Sequence, residues 1–195
     1  MTREEWLIEC VHELRHEFDV AGFSLPEKIR ASCSWPSRGA LSVKKTSLGE
    51  AWSSENSGDE HFEIFISPKL FEPAIVGATL VHELCHCAVG LKAKHGKKFA
   101  LCATRMGLEG KMTATTAGET LQCIILRIAE KIGPYPHAEL KSFAEVKTQT
   151  TRYLKVTCGN CGCVVRMTKK WIETVGTPVC GCGGEMEQEE QEDEE

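Results

Sequence analysis

The segment from Pro73 to Gly90, PAIVGATLVHELCHCAVG, constrains the fold of this chain more than any other. It is apolar on nearly every side of a helix, which predicts a helix buried in the protein core. The same segment nevertheless carries His82, Glu83 and His86. Polar groups are costly to bury unless they have partners. The rest of the chain must therefore cover this helix and also satisfy two imidazoles and a carboxylate.

The spacing of these three side chains predicts a metal site. Histidines four residues apart lie one turn apart on one helix face, so His82 and His86 can share an ion. A catalytic zinc needs a third protein ligand and an open position. His95 can supply that ligand, because Gly90 allows the chain to reverse before it. Glu83 can then act as the acid and base of a hydrolysis in which zinc activates water.

A second copy of the pattern, His12-Glu13-Leu14-Arg15-His16, lies in a predicted amphipathic helix over 3–19. The apolar stripe of that helix directs His12 and His16 towards solvent, and Arg15 disfavours a cation there. We therefore interpret this copy as a charged helix face. The stripe comprises Leu7, Val11, Leu14 and Phe18.

Eleven of the 195 residues are cysteine, and the first residues, MTREEW, do not have the character of a secretory signal. We therefore expect a cytoplasmic location with reduced thiols. Five cysteines lie between Cys158 and Cys182, and such clustering points to a metal. The other six are predicted to be small buried hydrophobes. These are Cys10, Cys33, Cys85, Cys87, Cys102 and Cys123.

The cysteine cluster fits a zinc ribbon, in which two knuckles hold one structural zinc ion. The preferred ligands are Cys158, Cys161, Cys180 and Cys182, and neighbouring glycines allow the tight turns that four sulfurs need. Cys163 remains a fifth candidate. The module is too short to maintain a core without a metal.

Charge is distributed unevenly. The last eleven residues hold eight acids and no base. Without them the chain has 20 acids and 23 bases, a net charge of about +3. Between 137 and 184 there are seven bases and three acids. This excess fits either a contact with DNA or RNA or an ordinary solvated surface. No apolar run is long enough to span a membrane.

The remaining periodicity predicts both helices and strands, and therefore an α+β domain. Further helices are expected at about 96–106 and 118–132, and strands at 28–35, 48–52 and 61–67. The last strand could align an extended substrate along an exposed edge. The predicted organisation is a catalytic domain over 1–133, a linker over 134–151, a ribbon over 152–184 and an acidic tail over 185–195.

Together these features resemble the SprT-like family of zinc metallopeptidases. The resemblance lies in HELCH (82–86), HGKKF (95–99) and the ribbon, while HFEIFIS and GLEGKMTAT are similar to a phage-encoded branch. It implies a zincin-like fold, zinc ligands at His82, His86 and His95, and an acid/base role for Glu83. Relatives such as the eukaryotic Spartan proteases cleave proteins crosslinked to DNA.

We accordingly expect a zinc metallopeptidase with one catalytic and one structural Zn²⁺, acting on protein substrates that include DNA-associated proteins. One alternative is an adaptor that binds nucleic acid or the transcription machinery and has weak or silent protease activity. A second is a zinc hydrolase that acts on a non-peptide bond, since fold and metal chemistry do not fix the substrate.

Overall fold

The computed structural model describes residues 1–37, 46–140 and 153–188, which belong to two compact units, Met1–Ser142 and Phe143–Glu195. The described residues form five α-helices and three small sheets, which confirms the predicted α+β class. None of the helices in these ranges is both long and apolar enough to cross a bilayer. Most of the predicted linker and the end of the acidic tail lie outside the described residues.

The described part of the first unit contains four α-helices and five strands, and the helices and the first three strands lie close to the predicted positions. In chain order they are α1 (Arg3–Val20), β1 (Ile29–Cys33), β2 (Gly49–Trp52), β3 (Phe62–Ile66), α2 (Pro73–Val89), α3 (Lys97–Arg105), β4 (Leu108–Lys111), β5 (Ala114–Ala117) and α4 (Glu119–Ile132).

The first sheet has the order β1-β3-β2, with β1 parallel and β2 antiparallel to β3. The strand predicted to offer an exposed edge is therefore the central one, and that prediction was wrong. Ile64 of β3 is paired with Ala31 on one side and Ala51 on the other. Among the described residues, the outer strands are β1 and β2.

Helix α2 lies at the centre of the first unit, as its apolar sequence predicts. Leu80, Val81 and Leu84 are fully buried. Gly77 allows close packing against α4, because a Cβ there would lie 2.6 Å from Cγ2 of Ile125. The helix ends at Gly90, whose φ of 81° suits a residue without a side chain.

Helix α1 packs its predicted stripe inward and exposes the second histidine pair. Its buried positions include Leu7, Val11, Leu14 and Phe18. His12 and His16 are exposed, as predicted. Between them, Glu13 accepts a hydrogen bond from Lys131 Nζ of α4 at 2.7 Å. The second copy of the motif therefore contributes to the contact between α1 and α4.

The β4–β5 hairpin was not predicted from the sequence. Its strands pair antiparallel from Leu108 opposite Ala117 to Lys111 opposite Ala114. The hairpin packs against α2, and this places Thr115 next to the histidines.

The segment after α4 folds back onto the first unit. Trp6 Nε1–H donates to the Gly133 carbonyl at 2.8 Å, and the Tyr135 ring lies 5.0 Å from the Trp6 ring. The Leu140 N–H donates to the Pro68 carbonyl at 3.0 Å. Residues 134–140, which the sequence assigns to a linker, therefore pack on the first unit.

The second unit is a three-stranded antiparallel sheet with the order β7-β6-β8 and one short helix. Its elements are β6 (Tyr153–Cys158), β7 (Val164–Thr168), α5 (Lys169–Val175) and β8 (Met186–Gln188). Among the described residues of this unit, the buried core consists of Val156, Cys158 and Met186. So small a core agrees with a module that a metal must stabilise.

The cysteines outside the cluster only partly follow the prediction of burial. Cys10, Cys85, Cys87 and Cys102 are buried. Cys33 is half-buried, and Cys123 is exposed because α4 turns other residues inward. The inward residues of α4 are Leu121, Ile125 and Ile128.

Candidate metal centres

Three imidazoles meet at one point of the first unit. Helix α2 supplies His82 and His86, and the turn after Gly90 brings His95 towards them. His95 Nε2 lies 3.2 Å from both His82 Nε2 and His86 Nε2. Nitrogen ligands of tetrahedral zinc, each about 2.0–2.1 Å from the ion, lie roughly 3.3 Å apart. The three predicted histidines therefore form a group that could hold a metal ion.

Neighbouring side chains fix the orientation of these rings. The buried Phe99 ring lies 4.9 Å from His82 and His95 and 4.3 Å from His86, between ring centroids. Thr115 Oγ1 lies 2.8 Å from His82 Nδ1. With Nε2 directed at an ion, Nδ1 carries the proton and donates to Thr115, which selects the tautomer that binds metal.

The environment favours neutral imidazoles. Burial, together with repulsion from His95, lowers the pKa of His82 to about 4. Burial and the two neighbouring histidines lower the pKa of His86 to about 3. Burial also lowers the pKa of His95. Because a metal binds the neutral ring, these shifts keep the ligands in their binding form at neutral pH.

The Glu83 side chain occupies a tight slot beside the histidines. It is 6% exposed, and burial followed by repulsion from Glu50 raises its pKa to about 8. The backbone N–H of Ala51 donates to this carboxylate and opposes that rise. A nearby cation would also favour the ionised form.

Strand β2 forms one wall of the slot. A Cβ at Gly49 would lie 2.6 Å from Glu83 Oε1 and 2.8 Å from Thr79 Cγ2. Side chains make no such contacts in practice, so only glycine permits this approach of strand to carboxylate. The motif identified Glu83, but it gave no indication of Gly49 or Ala51.

The histidines and Glu83 face an open cleft of about 930 Å³. Leu48 and the first three residues of β2, Gly49 to Ala51, line one part of it. Lys111 and Thr115 of the hairpin line another, and Lys94 lies next to His95. The site thus opens to solvent beside β2, which is an outer strand among the described residues.

Four sulfurs meet in the second unit. Cys158 Sγ lies 3.6 Å from Cys182 Sγ, and Cys161 Sγ lies 3.5 Å from Cys180 Sγ. Sulfur ligands of tetrahedral zinc, each about 2.3 Å from the ion, lie roughly 3.8 Å apart. These are the four preferred cysteines, and together they could hold a metal ion. The fifth candidate, Cys163, lies outside this group.

Backbone geometry supports the four-sulfur group. Backbone N–H groups of Cys161 and Asn160 donate to Cys158 and lower the pKa of its thiol to about 7, which favours the thiolate that binds metal. Gly184 lies so close that a Cβ there would be 2.8 Å from Cys158 Sγ.

No protein-family model, curated protein or solved structure matches this chain. The two candidate metal centres therefore rest on the chain's own residues and geometry.

Proposed function

We propose that this protein is a zinc-dependent hydrolase that cleaves peptide bonds, with a zincin-like first unit related to the SprT-like peptidases. The observation that carries the proposal is the buried Glu83 carboxylate beside three convergent imidazoles in an open cleft. A purely structural metal site has no need of an acid/base side chain or of an open face.

The chemistry of the donor set supports zinc at both centres. Three nitrogens that leave a coordination position open suit a catalytic zinc, and four thiolates suit a structural one. When bound, zinc polarises a carbonyl group and makes water acidic enough to attack near neutral pH.

Different residues of the chain would then bind the zinc ion and transfer protons. His82, His86 and His95 hold the ion, and Thr115 keeps the first of these rings in its binding tautomer. The Glu83 carboxylate accepts a proton from the attacking water and delivers it to the nitrogen of the departing amine.

Strand β2 is suited to align the substrate. It is an outer strand among the described residues, and its residues Gly49 to Ala51 line the cleft. An extended peptide could add to it through main-chain hydrogen bonds, which place a carbonyl group near the catalytic centre. We therefore assign substrate alignment to β2 and not to β3, because β3 lies inside the sheet.

The second unit supports a role in recognising DNA or RNA. On its sheet Lys155 lies opposite Arg166, and Tyr153 and Trp171 are exposed. Lys170 Nζ lies 5.9 Å from the Trp171 ring centroid. Lysine and arginine side chains can contact phosphates, and exposed aromatic rings beside them can stack on nucleobases. We accordingly propose DNA-associated proteins as substrates. The adaptor alternative requires the same surface but leaves the catalytic group unexplained.

The cysteines support a reducing compartment such as the cytoplasm. All eleven lie in the described ranges, and none forms a disulfide. Thiols in cytosolic proteins generally remain reduced.

The test combines zinc analysis with proteolysis, with and without DNA, for the native protein and Glu83→Gln. We expect two zinc equivalents in both, and cleavage by the native protein alone. The matched control is His12→Ala with His16→Ala, which removes the exposed motif and should leave cleavage near the native rate. Ester hydrolysis without peptide cleavage would favour the non-peptide hydrolase, and equal cleavage by Glu83→Gln would refute the assigned role.

A further inference from the structure

We propose that the cleft selects peptides with aspartate or glutamate close to the scissile bond, and that Lys94 and Lys111 bind those carboxylates. This inference rests on the proposed peptidase function and names a substrate class for the same site. Both lysines are exposed and line the cleft together with the three histidines. Lys94 comes from the turn between α2 and α3, and Lys111 is the last residue of β4.

The described part of the fold does not use either ammonium group. Within residues 1–37, 46–140 and 153–188, neither Lys94 nor Lys111 forms an ion pair or a side-chain hydrogen bond. Several other lysines are paired: Lys131 contacts Glu13, for example. Two unpaired cations facing one cleft are available to a ligand of opposite charge.

The backbone of Lys94 gives a second, independent indication. This residue has φ 47° and ψ −138°, and Glu60 is the other described non-glycine residue with positive φ. Glycine would adopt this conformation with less strain. Strained residues cluster at binding and catalytic sites. The turn itself therefore gains nothing from a lysine, whereas the cleft gains a positive charge beside His95.

The other charges in the cleft leave it positive once a divalent ion is bound. The two carboxylates among its described lining residues are Glu83 and Glu50, and Glu50 accepts hydrogen bonds from Ser37 N–H at 2.7 Å and Ser37 Oγ–H at 2.6 Å. A positive cleft attracts acidic ligands and raises their local concentration.

An acidic peptide fits the lining better than a nucleic acid does. Apart from the three metal-binding imidazoles, the described lining contains no aromatic ring on which a base could stack. Strand β2, an outer strand among the described residues, instead offers an edge for an extended chain. A strand advances about 3.3 Å per residue, and Lys94 directly precedes a metal ligand. Its ammonium group can therefore reach substrate positions within about three residues of the scissile bond.

Binding can be measured apart from cleavage by using full-length, zinc-loaded Glu83→Gln. Three fluorescein-labelled probes are compared by anisotropy: an alanine-based peptide with three glutamates, the same peptide with three glutamines, and a single-stranded oligothymidylate. We expect the glutamate peptide to bind roughly threefold to thirtyfold more tightly than the glutamine peptide at low salt, as two exposed ion pairs allow. The ratio should fall as salt is added.

Adding Lys94→Gln with Lys111→Gln should bring that ratio close to one. The matched control is Lys97→Gln with Lys98→Gln, which removes the same charge from exposed α3 residues outside the cleft lining and should preserve the ratio. Equal binding of both peptides by the parent would overturn the proposal, as would a preference that survives loss of both cleft lysines. Tighter binding of the oligonucleotide, lost in the same variant, would assign the lysines to nucleic acid instead.

Cleavage of the unlabelled peptides by the native protein separates this inference from the proposed function. A glutamate preference in binding with no cleavage of either peptide would leave the acidic site standing and refute the peptidase. Equal kcat/KM values for both peptides would support the peptidase and refute the acidic site.

Discussion

Replacing Gly49 by alanine tests whether β2 sets the position of the Glu83 carboxylate, for which we propose an acid/base role. The added Cβ would lie 2.6 Å from Glu83 Oε1 and 2.9 Å from Glu83 Cγ. Ordinary contacts begin near 3.4 Å. The strand or the carboxylate must therefore move by about 0.8 Å, because two atoms cannot share that space. Thr79 Cγ2, at 2.8 Å from the same Cβ, adds a second close contact from the same helix.

A shift of this size should be visible in catalysis. Misplacing a reacting group by about 1 Å can lower a rate by about 10²-fold, which corresponds to about 2.7 kcal/mol of activation free energy. We expect kcat for peptide cleavage to fall by that order in Gly49→Ala. Zinc content should remain at two equivalents, because the substitution does not touch the imidazole nitrogens.

The matched control is Gly58→Ala. A Cβ at Gly58 meets nothing within 4 Å, and the residue does not have the positive φ that disfavours alanine. Both variants carry the same chemical change, but only one closes the slot around Glu83. A folded, zinc-loaded Gly49→Ala with kcat within twofold of the control would refute the reasoning.

Unfolding in urea gives a second measurement that does not depend on activity. Forced overpacking costs about 1–3 kcal/mol, so Gly49→Ala should lower the free energy of unfolding by that amount. The cost should be smaller in a Glu83→Ala background, where the partner atoms Oε1 and Cγ of Glu83 are absent and the contact with Thr79 is kept. An identical cost in both backgrounds would show that the carboxylate does not create the strain.

Three further predictions concern the metal centres and the strained turn. Thr115→Val removes the acceptor of the His82 Nδ1–H, so zinc affinity at the histidine site should fall about 10–100-fold, measured by competition with a chelator. The affinity should recover in Thr115→Ser, and an unchanged affinity in Thr115→Val would contradict the role of Thr115. Lys94→Gly should be more stable to urea than Lys94→Ala by about 1–2 kcal/mol, because only glycine relieves the positive φ, and equal stabilities would remove the claim of strain. Gly184→Ala places a Cβ 2.8 Å from a ligand sulfur and should leave one zinc equivalent of two, while Gly181→Ala, with open space around it, should keep both.

Local patterns in the sequence were sufficient for several parts of this protein. The burial of α2, the facing pair His82 and His86, and the knuckle containing Cys158 and Cys161 all follow from spacing within one element. Within one helix or tight turn, side-chain directions repeat regularly. The relative positions of residues a few places apart therefore depend on that element alone and not on the rest of the fold. The exposed position of His12 was predictable for the same reason.

Only the tertiary structure decided which strand lies inside the sheet and what surrounds the carboxylate. The alternating pattern of 61–67 fits a central or an outer strand equally well, because pairing depends on partners far away in the chain. Gly49 and Ala51 contact Glu83 because β2 pairs with β3, a strand distant in sequence. Thr115 forms a hydrogen bond with His82 from a hairpin that the sequence pattern did not predict. The sequence by itself determined the side chains that could hold a metal ion and the carboxylate for which we propose an acid/base role. Only packing placed β2 against Glu83, Thr115 against His82 Nδ1, and Lys94 and Lys111 along the same cleft.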